Sequence, residues 1–282
     1  MWYGPRGAIN QGFGMTSFSV RQVFDDDAPV LVFGGPYSNL QATRALRAEA
    51  ARRGIPADHV ICTGDVVAYC GDPVATVDEV RDWGCYVLAG NCEAQLASGA
   101  PDCGCGFEAG TTCDLLSVAW YAYALGQLDA DARAWMGGLP DALRFGHAGR
   151  NALALHGGLT DVARFLFEAS PEAAFEEELA QMGSARPHMV LAGHCGIPFQ
   201  RRIAGVDWIN AGVIGMPPHD GGVATRYVVL KGGQAQVHAL DYDWRAAQRS
   251  MERAGMTQGY HLALETGIWP SEDVLPMAMR RG

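Results

Sequence analysis

The sequence predicts an α/β fold, a layered sheet with right-handed crossovers. Three observations carry this. Short apolar runs alternate with helical stretches over the first hundred residues, several apolar runs end in glycine beside a polar or metal-competent side chain, and short β segments cluster after residue 200.

Taken in order, Val30–Phe33 reads as a buried strand and Gly34–Ser38 as a turn. A helix follows from about Asn39 to Arg53, with Leu40, Thr43, Ala45, Leu46 and Ala50 on its inner face and Gly54 as its stop. His59–Thr63 is the next strand, and a helix near Ala75–Trp83 and a strand at Cys85–Ala89 complete β-α-β-α-β. Helices are expected at about Asp114–Gln127, Asp129–Met136 and Pro171–Met182, and strands at Asn151–Leu155 and His188–Ala192. Segments at about Arg201–Ala204, Asp207–Asn210, Arg226–Leu230 and Gln234–Ala239 suggest a second, antiparallel sheet. The C-terminal stretch reads as helical, interrupted by Gly267 and Pro270. Residues 1–28 carry Gly4, Gly7, Gly12 and Gly14 with Trp2, Tyr3 and Phe13 but no period, and are set apart as an N-terminal arm or lid; residues 29–282 form one domain.

Of the 282 residues, 49% are hydrophobic, enough for a large core, and the formal charge of −10 argues against a nucleic-acid duplex as partner. A small phosphorylated ligand needs only a local positive site and stays compatible. No apolar run approaches the ~20 residues that span a bilayer. With no signal peptide visible, a cytoplasmic location is expected, as monomer or homodimer. The eight cysteines are then expected as free thiols or metal ligands rather than a disulfide framework. Cys62 and Cys85, inside strand-like runs, read as small buried hydrophobes.

In an open α/β sheet, ligands bind beyond the carboxyl ends of the strands. Gly64-Asp65, Gly90-Asn91, His156-Gly157 and Gly193-His194 each stand there. Any one of them alone reads as a turn or cap; four in order point to a site. Asp65 has two oxygens to offer a hard or borderline cation.

On these residues the chain resembles the calcineurin-like metallophosphoesterases, in particular the small bacterial branch of phosphodiesterases and diadenosine-tetraphosphatase-like proteins. Gly64-Asp65 matches the family's second motif, Gly90-Asn91-Cys92-Glu93 the third, His156-Gly157 the fourth and Gly193–Phe199 the fifth, and Trp208–Pro217 is similar to a following family stretch. The resemblance implies a four-layer α/β sandwich, with two central mixed sheets flanked by helices, and a metal-dependent phosphatase or other hydrolase. It departs at three places. The first motif, a metal-ligating Asp-x-His in the family, reads Gly35-Pro36-Tyr37-Ser38-Asn39 here. Cys92 replaces a catalytic His, and Gly196 replaces a ligating His.

On the family pattern one metal site keeps only Asp65, and the other keeps Asp65, Asn91, His156 and His194. One divalent ion (Zn, Fe or Mn) is therefore expected rather than two, with Asp65, Asn91, Cys92 and His156 in catalytic positions. Tyr37 either hydrogen-bonds substrate phosphate or packs over the vacated site. Asn39 and Cys92 are expected near substrate, Asn39 also bracing the first loop. The alternative is a non-hydrolytic pseudoenzyme whose centre is altered by cysteine. Cys70, Cys92 and Cys195 lie beside the expected site, and Cys103, Cys105 and Cys113 either close a small loop or bind metal.

Overall fold

The computed structural model describes residues 18–281. Two mixed sheets are stacked face to face and flanked by helices, a four-layer α/β sandwich. One sheet contains β2 (Val30–Phe33), β3 (Val60–Cys62), β4 (Tyr86–Val87), β10 (Thr225–Lys231) and β11 (Gln234–Leu240), in the order β11-β10-β2-β3-β4. The other contains β1 (Val20–Asp26), β5 (Ala142–His147), β6 (Arg150–Leu155), β7 (Met189–Ala192), β8 (Phe199–Ile203) and β9 (Val206–Asn210), in the order β1-β5-β6-β7-β9-β8.

Period-two alternation builds the layers. Val30 and Val32 join Ala152, Ala154, Met189 and Leu191 between the sheets. Leu31 and Phe33 turn the other way, toward α1 (Leu40–Arg52) and α2 (Pro73–Trp83). Leu153, Leu155, Val190 and Ala192 face α6 (Glu172–Gln181), whose Phe175 is fully buried. These central strands are covered on both faces, which is why they read as unbroken apolar runs. Each fully buried Leu, Val or Phe contributes about 1.5–3 kcal/mol.

The expected β-α-β-α-β unit is present, its strands parallel. Helix boundaries follow local chemistry. Asn39 caps α1 by accepting from Ala42 N at 3.0 Å, and Gly84 ends α2 in the left-handed conformation that glycine adopts without strain. Further helices are α3 (Asn91–Ser98), α4 (Thr112–Gln127), α5 (Ala130–Met136), α7 (Trp244–Arg253) and α8 (Tyr260–Thr266).

Several expectations are corrected. Part of the aperiodic arm, Val20–Asp26, is the edge strand β1, parallel to β5; only Val20, Val23 and Phe24 pack inward, and a register shift breaks their alternation. Residues 1–17 of the arm lie outside the described residues. The segments after residue 199 are two antiparallel hairpins, β8-β9 and β10-β11, one in each sheet rather than together in a second sheet. After Gly267 the chain runs as irregular turns and bends, a strap over the cavity that returns to helical form only as a short turn at Met277–Met279.

Candidate metal centre

The site lies where β3, β6 and β7 end. Asp65 follows β3 by a Thr63-Gly64 turn, His156 follows β6 directly and His194 follows β7 by one glycine. Asp65 and His194 both have positive φ, 56° and 61°, which turns each side chain back across the sheet edge. Such backbone is uncommon for residues other than glycine and recurs at functional sites.

The three side chains meet. Their ligand-capable atoms lie within 4.8 Å of one another, and all three residues are buried. His156 Nε2 is 3.0 Å from His194 Nδ1, 3.0 Å from Asn91 Oδ1 and 3.3 Å from Asp65 Oδ2. Outer contacts fix which atoms face inward. His156 Nδ1–H donates to Thr63 O at 2.6 Å, so in the neutral ring the Nε2 lone pair faces the cluster. Asn91, the first residue of α3, donates its Nδ2 to Cys103 O at 2.9 Å, which aims Oδ1 inward. Four donor atoms thus converge with no lysine or arginine among them, a set that a divalent cation fits and that one proton cannot satisfy.

Burial would raise the Asp65 carboxyl, but His156 and His194 hold it below the ordinary carboxylate range. Burial resists protonation of His156, yet Asp65 and the Thr63 carbonyl raise its pKa on balance. His194 is lowered, by burial and by the neighbouring His156.

Glu93 organises this cluster, a role the sequence did not disclose although the residue sits in the third matched motif. It is fully buried and accepts from Asp65 N and Val66 N, each at 2.8 Å, and from Gly90 N at 2.9 Å. One carboxylate therefore ties the β3 turn to the start of α3. Burial and the nearby Asp65 charge push its carboxyl up to about 7. Asn210 plays a similar part after β9, donating to Gly193 O at 2.6 Å and accepting from Gly212 N at 2.9 Å.

Aromatic rings occupy the positions where the sequence lacks ligands. Tyr37 is buried and packs edge-on to Tyr69, with ring centroids 4.8 Å apart. Gly35 and Gly215 leave room for it, since a Cβ at either would lie within 2.5 Å of Tyr37. Gly196, at φ +80°, faces the Trp269 ring, 3.1 Å from where its Cβ would stand. Trp269 is fixed by Nε1–H to Pro217 O at 2.7 Å and by its N–H to His219 Nδ1 at 2.8 Å. His219 is held in turn by Glu272, at 2.7 Å. Phe165 covers His194, centroids 4.3 Å apart. The resulting cavity is small, with room for several waters.

The remaining expected site residues fall elsewhere. Asn39 is fully buried, with Oδ1 accepting from Ala42 N and Nδ2 donating to Gly215 O, so it braces the loop and does not line the cavity. Cys92 is 1% exposed and is not part of the cavity wall; burial and Asp65 push its thiol up, so it stays neutral. Cys70 is turned to Gly215 O and Cys195 to Ile197 O. Among the described residues no cysteine joins the Asp65, His156 and His194 cluster. Cys103 and Cys105 are joined by a disulfide around Gly104, closing a small loop, the first of the two alternatives expected there, while Cys113 is a free buried thiol.

The fold is thus a stacked α/β sandwich with a buried carboxylate, two imidazoles and an amide gathered at its strand ends, a donor set that could hold a metal ion. Comparison with known proteins places it further. The calcineurin-like phosphoesterase superfamily domain matches residues 38–232, and the chain belongs to that family. A metallophosphoesterase from Sphaerobacter thermophilus has a similar structure, with TM-score 0.68 and 18% identity over 86% of this chain and 100% of that one. A hypothetical protein from Pyrococcus horikoshii OT3 gives 0.69 and 14%, over 85% and 98%. At these identities the likeness is one of fold. No curated protein matches the sequence.

Proposed function

We propose that the chain is a phosphoesterase working with one divalent ion, held by Asp65, Asn91, His156 and His194. The observation that carries this is the inward convergence of those donors, three of them fixed from behind: Asp65 by Glu93, Asn91 by Cys103 O and His156 by Thr63 O. Zinc, iron and manganese all suit a mixed N/O set. Such an ion polarises a phosphoryl oxygen and makes water a nucleophile near neutral pH.

The chain's own residues do the rest. Asp65 supplies the one full negative charge of the set, and Glu93 holds its backbone in place. Tyr37, neutral because burial and Asp65 raise its phenol, stands in the cavity wall as a hydrogen-bond donor toward a phosphate oxygen. Phe165 and Trp269 screen the site from bulk water. Cys92 supplies no cation to the reaction. A second ion has no place, since Tyr37 and Trp269 fill the ground its ligands would occupy.

The test is metal content of protein purified without chelator, with turnover of a chromogenic phosphate diester. One ion per chain, lost in Asp65→Ala and His194→Ala together with turnover, supports the reading. One ion without turnover on any ester makes the protein a metal-bound ligand-binding relative. Metal retained in both variants refutes the site.

A further inference from the structure

An irregular segment between α3 and α4 carries the disulfide that joins Cys103 to Cys105. The small closed loop is seated on α3. Asn91, at the start of that helix, donates Nδ2 to Cys103 O at 2.9 Å and to Cys105 Sγ at 3.3 Å. Gly104, at φ +59°, lies so close to Gln95, one turn further along α3, that a Cβ there would stand 2.5 Å from Gln95 Nε2. Both cysteines are buried, yet Asp102 and Gly106 beside them are exposed, and Cys105 stands in the cavity wall.

This loop decides which way the Asn91 amide faces. Its oxygen and its NH2 have nearly the same shape, so their partners distinguish the two orientations. A carbonyl oxygen and a disulfide sulfur accept hydrogen bonds and donate none. They therefore take Nδ2 and leave Oδ1 for the cluster, 3.0 Å from His156 Nε2. Two thiols in place of the disulfide change this. The sulfur facing Asn91 gains an S–H donor, and Cys103 O is released at a glycine free to change its backbone angles. An amide turned over puts NH2, with no free lone pair, toward the cluster.

We propose that Cys103–Cys105 is a reversible redox site, reduced by a small dithiol that attacks at Cys105, and that its disulfide form holds Asn91 as an ion ligand. The second half rests on the single-ion reading above. In the forward direction a reductant sulfur bonds to Cys105 Sγ, the Cys103–Cys105 bond breaks, and Cys103 Sγ takes up a proton. The second reductant sulfur then displaces Cys105 Sγ, which takes up another. Both protons come from the reductant's thiols, two electrons pass to the protein, and the reductant leaves as a cyclic disulfide. An excess of that oxidised form reverses the sequence.

The full chain is equilibrated with reduced or with oxidised dithiothreitol and quenched in denaturant with N-ethylmaleimide, and peptide masses count the free thiols. Cys103 and Cys105 are expected free in the first sample and joined in the second. Each form, cleared of reagent under nitrogen, is then titrated with zinc against a chelator. The disulfide form is expected to bind about 10–100-fold tighter, the effect of altering a ligand's hydrogen-bond partner. Asn91→Asp has two like oxygens and no orientation to lose, so in it the difference is expected to vanish or reverse. Cys103→Ser combined with Cys105→Ser is expected to bind zinc as the reduced form does and to ignore reductant; the wild-type comparison stands whether or not this variant folds. A disulfide that resists dithiothreitol until the protein is unfolded overturns the redox site. Zinc bound equally or more tightly by the reduced form, or the full difference retained in Asn91→Asp, overturns the coupling through Asn91 and leaves the single-ion reading intact. Zinc bound by neither form overturns that reading and the coupling with it.

Discussion

Gly90→Ala tests whether the donor cluster is the metal site without touching a donor. Gly90 has φ −88° and ψ 178°, which alanine adopts freely. The backbone therefore resists nothing, and the lost freedom of the unfolded chain favours alanine by about 0.4–1 kcal/mol. The cost is steric. The new Cβ would stand 2.7 Å from Asp65 Oδ1, 2.8 Å from His156 Cε1 and 2.9 Å from Asp65 N. Each must retreat by roughly half an ångström to ordinary contact, and overpacking of this kind costs about 1–3 kcal/mol. The net loss is about 1–2 kcal/mol, a fall in Tm of roughly 2–6 °C. Metal ligation tolerates far less, since bond lengths hold to about 0.2 Å. Zinc affinity, measured by chelator competition, is expected to fall roughly 10–100-fold, as when partners of metal ligands are altered. Gly137→Ala is the control, because its Cβ would meet nothing nearer than Ala97 Cβ at 3.4 Å. A folded Gly90→Ala protein that binds zinc as wild type does would refute the assignment of Asp65 and His156 as ligands.

Three further outcomes follow from the same geometry. Chelation is expected to lower the Tm of wild type but not of Asp65→Ala, since an ion at 100 times its Kd stabilises the fold by about 2.7 kcal/mol; equal chelator sensitivity in both proteins would contradict the site. Phe175, fully buried between Trp208 at 5.2 Å and Phe199 at 6.0 Å, should cost about 3–5 kcal/mol on change to alanine, measured by denaturant unfolding, while metal stoichiometry of the folded protein stays unchanged. His147 is fully buried, accepts from Gly233 N at 3.2 Å, and has its pKa lowered by burial. A base held neutral in the fold but free to ionise in the unfolded chain gives stability that is complete above its unfolded pKa of about 6.5 and is lost as pH falls below it. Stability of His147→Gln, from urea unfolding at pH 7.5 and 5.5, should therefore depend less steeply on pH than that of wild type.

Legibility varied with the physics of each segment. Strands covered on both faces, such as Val30–Phe33 and Met189–Ala192, are written as apolar runs, and the glycines beside Asp65, Asn91, His156 and His194 mark where the backbone must turn. β1 was hidden because an edge strand needs little apolar alternation. The partition of the two late hairpins between sheets depends on which strand each one pairs with, β7 in one case and β2 in the other, and local periodicity does not carry that information. Glu93 was visible as a letter of a matched motif, but besides Gly90 N of its own motif it holds the backbone N–H groups of Asp65 and Val66, which only the folded chain brings to it. The spacing of Cys103, Cys105 and Cys113 left loop closure and metal binding open, and only the folded chain shows that Cys103 and Cys105 pair with each other.

On the single-ion reading proposed above, the side of the cavity away from the four donors is better understood as one continuous surface than as separate substitutions. Tyr37 fits only because Gly35 and Gly215 leave its ring space, and Trp269 lies against Gly196 only because no side chain stands there. Trp269 also depends on His219 and Glu272, which lie far from any family ligand position. A histidine placed at residue 196 would carry strained φ and meet the indole; an aspartate at position 35 would meet the Tyr37 ring. Restoring one ligand at a time therefore cannot rebuild a second metal site. The aromatic pair and the residues that seat it form a mutually supporting unit, and that unit sets the charge and the shape of the cavity over the remaining four donors.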